Sequence, residues 1–157
     1  MPTIHLKPTK LQHLDILFEF QADKEAGYLA AFMPKDPTDK QAYITKYTAL
    51  LTDKTVNNQT IFLGDTIVGS IAKFVMFGDA EVTYWIDRTF WGQGIATGAL
   101  QQFLLQETIR PLYGRTVFDN YGSQKVLEKC GFVKVGSDKG FAHARGAEVE
   151  EFIFKLE

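Results

Sequence analysis

The sequence is poor in the residues that form covalent and metal cross-links. It has one cysteine, Cys130, so an internal disulfide is excluded, and its three histidines show no metal-ligand spacing. We therefore predict no structural metal. Charge of one sign is also scarce, because the formal net charge is -2 and no block of lysine and arginine stands out. Without a basic patch, nucleic acid is not expected as a partner.

Long apolar segments are missing as well. The first ten residues, MPTIHLKPTK, lack the apolar core of a signal peptide, and the longest apolar stretch, Ile67 to Phe77, is interrupted by Gly69, Ser70 and Lys73. We expect no membrane segment and a cytoplasmic location. The 157 residues have room for one domain, covering residues 1–157, and the 13 phenylalanines predict a bulky core.

Apolar periodicity predicts helices and strands along the chain. Helices are predicted from Lys10 to Gln21, from an N-cap at Thr38 or Asp39 to Leu51, from Ile95 to Ile109, and over SQKVLEKC. Strands are predicted for TIHLKPT at a sheet edge, Thr60 to Leu63, Ile67 to Phe77, Glu81 to Ile86, RTVF, GFVKVGS and EVEEFIFKL. The segment AGYLAAFMPKDP is predicted to be irregular, since Pro34 and Pro37 forbid a continuous helix.

The order of these elements predicts an α+β fold with a mixed sheet. Turns at Gly64-Asp65 and Gly78-Asp79 favour tight hairpins, and hence an antiparallel meander of three strands. The strand-helix-strand order that follows demands a locally parallel pair of strands. One sheet must therefore contain both kinds of pairing.

A glycine-rich stretch, WGQGIATGAL (Trp91 to Leu100), runs directly into a predicted helix. The N-terminus of a helix presents N–H groups without intrahelical partners and carries about half a positive charge, so anions bind there. Gly92 and Gly94 lack Cβ atoms, which lets a phosphate oxygen approach the N–H groups of Gln93 to Thr97. The stretch is therefore a candidate pyrophosphate site.

Other interpretations of these glycines are weaker. A P-loop requires Gly-Lys-Ser/Thr at the end of the loop, and this tripeptide is missing. A dinucleotide fingerprint requires a third glycine where Thr97 stands, and Gly98 comes one residue late. The simplest alternative is that the glycines only turn a strand into a helix, and the loop alone leaves this alternative open.

Two motifs, in this order, resemble the GNAT superfamily of N-acetyltransferases. Its acetyl-CoA loop has the pattern Gln/Arg-x-x-Gly-x-Gly/Ala, which is matched here as Trp91-x-x-Gly94-x-Ala96. The tryptophan, together with NYGSQKVLEKCGF (Asn120 to Phe132), is similar to the RimJ/RimL-like branch of ribosomal-protein N-terminal acetyltransferases. The resemblance covers residues 55–157 well. It implies a GNAT-like three-layer α+β fold, with a mixed, mostly antiparallel sheet of about six or seven strands, about four helices, and strands 4 and 5 splayed apart.

The resemblance implies acetyl-CoA as co-substrate. Its pantetheine arm is expected between the splayed strands, against the backbone of Tyr84, Trp85 and Ile86, with one N–H near Trp85 polarising the thioester carbonyl. The other expected contacts are Trp91, Gly92, Gln93, Gly94, Ile95, Ala96 and Thr97 in the loop, and Asn120, Ser123 and Lys129 downstream. Asn120 is alternatively a turn residue, and Lys129 a solvated charge.

The resemblance also implies two catalytic residues. Alternation places Glu81, Thr83 and Trp85 on one face of their strand, so Glu81 is a candidate general base; alternatively it is a solvated charge beside a turn. The tyrosine that many members use as general acid is replaced by Leu127, which leaves Ser123 or bulk water.

The acceptor is expected to be a primary amine, either a peptide N-terminus or a small molecule. Four acidic residues either line a pocket for a cationic amine or act as caps and solvated charges: Asp23, Glu25, Asp36 and Asp39. His143 and Arg145 either contact an acceptor carboxylate or lie in a mobile, exposed loop.

An enzyme is not the only class of protein that these motifs fit. The rival hypothesis is a catalytically silent acyl-CoA-binding module that senses the cofactor or regulates a partner, because loop and strand serve binding without chemistry. Members of the family occur as monomers and as homodimers, and both are open for this chain.

Overall fold

The computed structural model describes residues 3–157, which form one seven-stranded sheet with helices on both faces. In chain order the elements are β1 (Ile4–Pro8), α1 (Leu14–Ala22), α2 (Lys24–Ala30), α3 (Lys40–Leu51), β2 (Asn57–Leu63), β3 (Thr66–Met76), β4 (Asp79–Ile86), α4 (Ile95–Gln106), β5 (Leu112–Val117), α5 (Tyr121–Lys129), β6 (Val133–Ala142) and β7 (Ala147–Leu156). The predicted α+β class is confirmed. Among these helices none is long and apolar enough to cross a membrane.

The sheet is mixed, as predicted. Its strand order is β1-β2-β3-β4-β5-β7-β6, and all neighbours are antiparallel except β4 and β5. The meander β2-β3-β4 follows the predicted Gly-Asp turns, and β1 lies at one edge, where Pro8 ends the strand.

The parallel pair splits along its length, and this confirms the predicted splay. β4 and β5 are paired only where Glu81 meets Tyr113 and Val82 meets Gly114. The rest of β4, from Thr83 to Ile86, has no strand partner on that side within the described chain. The split therefore leaves backbone groups of β4 facing a gap.

The two larger of three hydrophobic clusters in the described residues hold the layers together. The larger core lies between the sheet and helices α4 and α5, where Leu100, Phe103, Leu127 and Phe154 are almost fully buried. A smaller core joins α1 and α3 on the other face, through Leu14, Leu17, Phe18 and Tyr43. Burial of such side chains stabilises the fold by about 1.5–3 kcal/mol each.

The prediction of irregular structure in residues 26–37 is wrong in its first half, which forms part of α2. Asp23 caps this helix, because its carboxylate accepts a hydrogen bond from the Ala26 N–H at 3.3 Å. Pro34 lies beyond the helix end at Ala30, so it does not interrupt the helix. The described chain therefore has five α-helices, where about four were expected.

Candidate active site

A cavity of about 660 Å³ opens where β4 and β5 separate. Its walls are the end of β4, the glycine loop, the first turns of α4 and α5, and part of α2. Most of the predicted site residues line it: Tyr84, Trp85, Ile86, Trp91, Gly92, Gly94, Ile95, Ala96, Thr97, Asn120, Ser123 and Lys129. Gln93 and Glu81 do not line it. The fold therefore assembles one continuous site from both sequence motifs.

The glycine loop has a backbone that only glycine adopts readily. Gly92 and Gly94 have φ angles of +79° and +76°, and Gly94 is the N-cap of α4. A Cβ added at either glycine would meet no atom within 4 Å, so the space beside them is open. The first N–H groups of α4, from Ile95 to Thr97, border this space and lack helical partners. An anion of pyrophosphate size fits this environment.

Trp91 anchors the loop to the strand before it. Its indole Nε1–H donates a hydrogen bond to the carbonyl oxygen of Ile86 at 2.9 Å. The bond joins the end of β4 to the start of the loop. It therefore fixes the position of the glycine loop relative to β4, the two elements that line the cavity. The side chain of Trp91 thus binds the backbone of β4.

The first turn of α5 is organised by Asn120. Its side-chain oxygen accepts a hydrogen bond from the Ser123 N–H at 3.3 Å, so Asn120 caps α5. The backbone N–H of Asn120 donates to the Val117 carbonyl at 2.9 Å, whereas its side-chain Nδ2 has no hydrogen-bond partner in residues 3–157. This nitrogen lies in a cavity-lining residue and is available as a donor. Asn120 can therefore serve both as a helix cap and as a cofactor contact.

Ser123 makes a side-chain contact that sequence reasoning missed. The hydroxyl oxygens of Tyr84 and Ser123 are 2.8 Å apart, although the residues are 39 positions apart in the sequence. The Tyr84 hydroxyl also lies 3.2 Å from the carbonyl oxygen of Ser123. The prediction for Tyr84 concerned its backbone, but its phenol also takes part in the site.

Glu81 lies outside the cavity, at the paired end of β4. The whole residue is 4% exposed, and its carboxylate accepts a hydrogen bond from Arg115 Nε at 3.3 Å. Arg115 also pairs with Glu151 at 2.9 Å and with Asp138 at 3.5 Å. The alternative of a solvated charge is therefore wrong, because Glu81 is buried in an ionic network.

Burial raises the pKa of the Glu81 carboxyl above its ordinary value, and the nearby Arg115 guanidinium opposes this rise. A raised pKa brings a carboxylate closer to the basicity that proton abstraction at neutral pH requires. Its role as base stays a prediction. Glu81 shares its sheet face with Trp85, whose indole donates to the Phe20 carbonyl of α1, so it faces the helical layer of α1.

The acidic residues proposed for a cationic acceptor do not form a pocket together. Asp23 caps α2 and pairs with Arg88 at 2.6 Å. Asp39 caps α3 by accepting from Ala42 N–H, as one of the two predicted caps, and Asp36 accepts from Thr38. The alternative of helix caps is therefore confirmed for Asp23 and Asp39, whereas Asp36 accepts within an exposed turn and Glu25 is an exposed partner of Arg88.

Arg145 is neither exposed nor free to bind an acceptor carboxylate. Its guanidinium forms two hydrogen bonds of 2.9 Å to Asp119, and its side chain is 7% exposed. It also lies over the Tyr28 ring, 4.0 Å from the centroid, and donates to the Tyr28 carbonyl. Arg145 thus ties the β6–β7 turn to α2 and to a residue that lines the cavity.

Two further observations limit what the site can be. A second cavity, of about 730 Å³, lies beside β1 and α1 and contains none of the predicted site residues. Among residues 3–157 no group of three or more His, Cys, Asp or Glu side chains is arranged to hold a metal ion. Most of the predicted site residues are therefore gathered at the cavity between β4 and β5.

The split sheet, with a glycine loop at the start of the following helix, defines an acetyltransferase fold of the kind that the sequence resembles. The family model described as acetyltransferase (GNAT) domain matches residues 3–133. The chain therefore belongs to this family of acetyl-CoA-dependent N-acetyltransferases.

Individual relatives agree with this assignment. The chain is 24% identical over 162 residues to an uncharacterized N-acetyltransferase p20 of Bacillus licheniformis, which covers 96% of this chain and 90% of the relative. RimL, a ribosomal L7/L12 alpha-N-protein acetyltransferase solved in complex with coenzyme A, has a TM-score of 0.85 at 19% identity, covering 98% and 93% of the two chains. Spermidine N-acetyltransferase from Vibrio cholerae, solved with CoA and spermine, has a TM-score of 0.82 at 14% identity, covering 98% and 94%. These structures share the fold of this chain.

Proposed function

We propose that this protein transfers the acetyl group of acetyl-CoA to a primary amine by direct attack within a ternary complex. The observation that carries the proposal is the glycine loop, whose positive φ angles leave open space at the N-terminus of α4 beside the split strand. The pyrophosphate would bind at the first N–H groups of α4, and the pantetheine arm would follow the gap along β4.

The gap supports a role in catalysis as well as in binding. Backbone N–H groups of β4 that have no strand partner can donate to the thioester carbonyl. Because the Asp87 N–H bonds to Val68 of β3 and Trp85 pairs with Ser70 in the same register, the candidate donors are the N–H groups of Tyr84 and Ile86, on either side of Trp85. One such donor to a developing oxyanion is worth about 3–4 kcal/mol. Attack by the amine then expels the CoA thiolate. Ser123 is proposed as the group that stabilises this thiolate.

A covalent acyl-cysteine intermediate is not needed. Burial raises the pKa of the Cys130 thiol, which disfavours the nucleophilic thiolate. Its sulfur lies 3.8 Å from the Thr97 carbonyl oxygen, so it has a hydrogen-bonding partner in the fold. Direct transfer between the two substrates is the simpler route.

We infer a RimJ/RimL-like member whose acceptor is a peptide N-terminus or a small-molecule amine. Trp91 and the Asn120 to Phe132 segment support the branch. Structural neighbours of this fold include enzymes whose names specify a ribosomal protein and a polyamine, so both classes belong in the test. The cavity wall formed by α2 is apolar, with Ala26, Leu29 and Ala30.

A screen of acceptors with acetyl-CoA tests the proposed function. N-terminal peptides, polyamines and aminoglycosides would be incubated with the protein, with released CoA as the readout and titration calorimetry with acetyl-CoA in parallel. We expect binding of acetyl-CoA and amine-dependent CoA release. Binding without release for any amine would support the silent cofactor-binding module instead, and absence of binding would contradict both.

Substitution of Glu81 by glutamine tests the proposed base. In Glu81→Gln, turnover at neutral pH should fall about tenfold or more, because the amine loses its proton acceptor. Acetyl-CoA affinity should stay within about twofold, since Glu81 does not line the cavity. Steady-state kinetics and calorimetry measure the two quantities.

The matched control for this test is Glu151→Gln, which removes a different carboxylate from the same Arg115. It should leave turnover nearly unchanged if Glu81 acts as the base. Equal losses in both variants would assign the effect to the ionic network, and unchanged turnover in Glu81→Gln would clear Glu81 of the role.

A further inference from the structure

We propose that Tyr84 is a positioning residue that directs the hydroxyl proton of Ser123 toward the sulfur of CoA. The proposal rests on the proposed function, because it assigns a part in the departure of the thiol. Its basis is the hydrogen bond of 2.8 Å between the two hydroxyl oxygens, in a pair of residues that both line the cavity.

The direction of this hydrogen bond decides what Ser123 can do. A serine hydroxyl has one proton and can also accept hydrogen bonds. When Tyr84 donates to Ser123 Oγ, the serine proton is free to point into the cavity. When Tyr84 donates instead to the Ser123 carbonyl, 3.2 Å away, the serine proton is directed to Tyr84. The 2.8 Å contact between the hydroxyls is the same in both arrangements. A thiolate sulfur in the cavity, which accepts the serine proton in a charge-assisted hydrogen bond, selects the first arrangement, in which the phenol orients the serine hydroxyl.

Tyr84 is suited to be a permanent donor. Burial raises the pKa of its phenol to about 12, so it keeps its proton throughout the neutral range. Its ring is held in the larger core between β4 and α5, which fixes the position of the hydroxyl. One turn after Ser123, α5 has Leu127, which carries no hydroxyl and packs fully buried against the sheet at Gly114. The phenol therefore reaches Ser123 from the strand.

The chemical step needs no proton from tyrosine. The amine nitrogen forms a bond to the acetyl carbon, the C–S bond breaks, and its electron pair goes to sulfur. The Ser123 hydroxyl donates a hydrogen bond to this developing thiolate, while Tyr84 donates to Ser123 Oγ. The attacking nitrogen gives up one proton to the proposed base Glu81, and the thiolate takes one proton from solvent, so neither hydroxyl changes its protonation state. Charge-assisted hydrogen bonds of this kind are among the stronger ones.

Kinetics of Tyr84→Phe, Ser123→Ala and the double variant test whether Tyr84 acts through Ser123. We expect kcat to fall about tenfold in Tyr84→Phe, with the Kd for acetyl-CoA within about twofold. In the Ser123→Ala background the additional change to phenylalanine should have no further effect on kcat. Independent, multiplying losses would overturn the proposal. Tyr113→Phe, a tyrosine of β5 outside the cavity, is the matched control and should behave as the wild type.

A second readout does not depend on any acceptor. The pKa of the thiol in bound CoA can be followed by the ultraviolet absorbance of the thiolate, with desulfo-CoA as the blank. We expect this thiol pKa to be lowest in the wild type and to rise in Tyr84→Phe to the value in Ser123→Ala. An identical thiol pKa in wild type and Tyr84→Phe would overturn the role of Tyr84. If the thiol pKa rises in Tyr84→Phe as predicted but the wild type acetylates no amine, the positioning role of Tyr84 is supported and the proposed transferase activity is contradicted.

Discussion

Gly94→Trp is expected to weaken acetyl-CoA binding about 100-fold or more. Gly94 is the N-cap of α4 with φ +76°, and the space beside it is open. An indole there would fill the volume proposed for the pyrophosphate and cover the N–H groups of the first turn. The fold should survive, since a Cβ at this position meets no atom within 4 Å. Titration calorimetry measures the affinity, and circular dichroism the fold.

Gly78→Trp is a matched control for this substitution. Gly78 has φ +83° and equally open surroundings, but it lies in the turn before β4, at the opposite end of the strand from the cavity. Both substitutions impose the same backbone strain, of about 1–2 kcal/mol. Only Gly94→Trp should affect binding. Wild-type affinity in Gly94→Trp would count against the loop as the pyrophosphate site.

Arg145→Met should lower the free energy of unfolding by about 2–4 kcal/mol, because it leaves a half-buried carboxylate without its partner. Arg145 forms two hydrogen bonds to Asp119 and contacts Tyr28, so one side chain joins α2, the start of α5 and the β6–β7 turn. Methionine keeps most of the apolar stem but donates no hydrogen bond. Denaturant unfolding, followed by circular dichroism, measures the change.

The same substitution at Arg88 provides the control. Arg88 also pairs with an acid at α2, Asp23, but 46% of its side chain is exposed. An exposed pair contributes about 0–1 kcal/mol, so Arg88→Met should be nearly neutral. Equal effects of the two substitutions would contradict the structural role assigned to Arg145.

The Asp119–Arg145 pair should also shape the acid stability of the protein. Hydrogen bonds from Arg145 hold the pKa of the Asp119 carboxyl below its ordinary value. A lowered folded-state pKa contributes stability that is fully present above the unfolded pKa, about 3.9, and is lost as pH falls through the folded value. The difference in unfolding free energy between wild type and Arg145→Met should therefore shrink below about pH 4. A difference independent of pH would contradict this assignment.

Local patterns in the sequence predicted the elements that build the cofactor side of the site. Asn120, for which a cofactor contact or a turn was expected, is the N-cap of α5. Glycines at 92 and 94 and the apolar face of α4 are short-range features, and each is confirmed in place. The end of α4 is the exception, since it lies at Gln106 and was predicted at Ile109. Pro111 marks where a helix must stop, but a helix can end a turn earlier.

Contacts between distant segments were not readable from the sequence. The hydrogen bond from Tyr84 to Ser123 depends on how α5 lies against β4, and Arg115 meets Glu81 and Glu151 only through the strand order β4-β5-β7. No periodicity encodes such neighbours. In contrast, α2 had a readable signal in Asp23, an N-cap residue followed by the helix-forming run KEAGYLA. This signal was outweighed in the prediction by Pro34 and Pro37, which both lie beyond the end of α2 at Ala30.

We propose that the site between β4 and β5 moves an acetyl group from CoA to an amine. The most direct test of this proposal is to quantify released CoA and acetylated amine in the same reaction, for the best acceptor of the screen, by thiol titration and mass spectrometry. We expect the two products to form in equal amounts and both to disappear in Gly94→Trp. Release of CoA without an acetylated amine, or undiminished transfer by Gly94→Trp, would contradict the proposal.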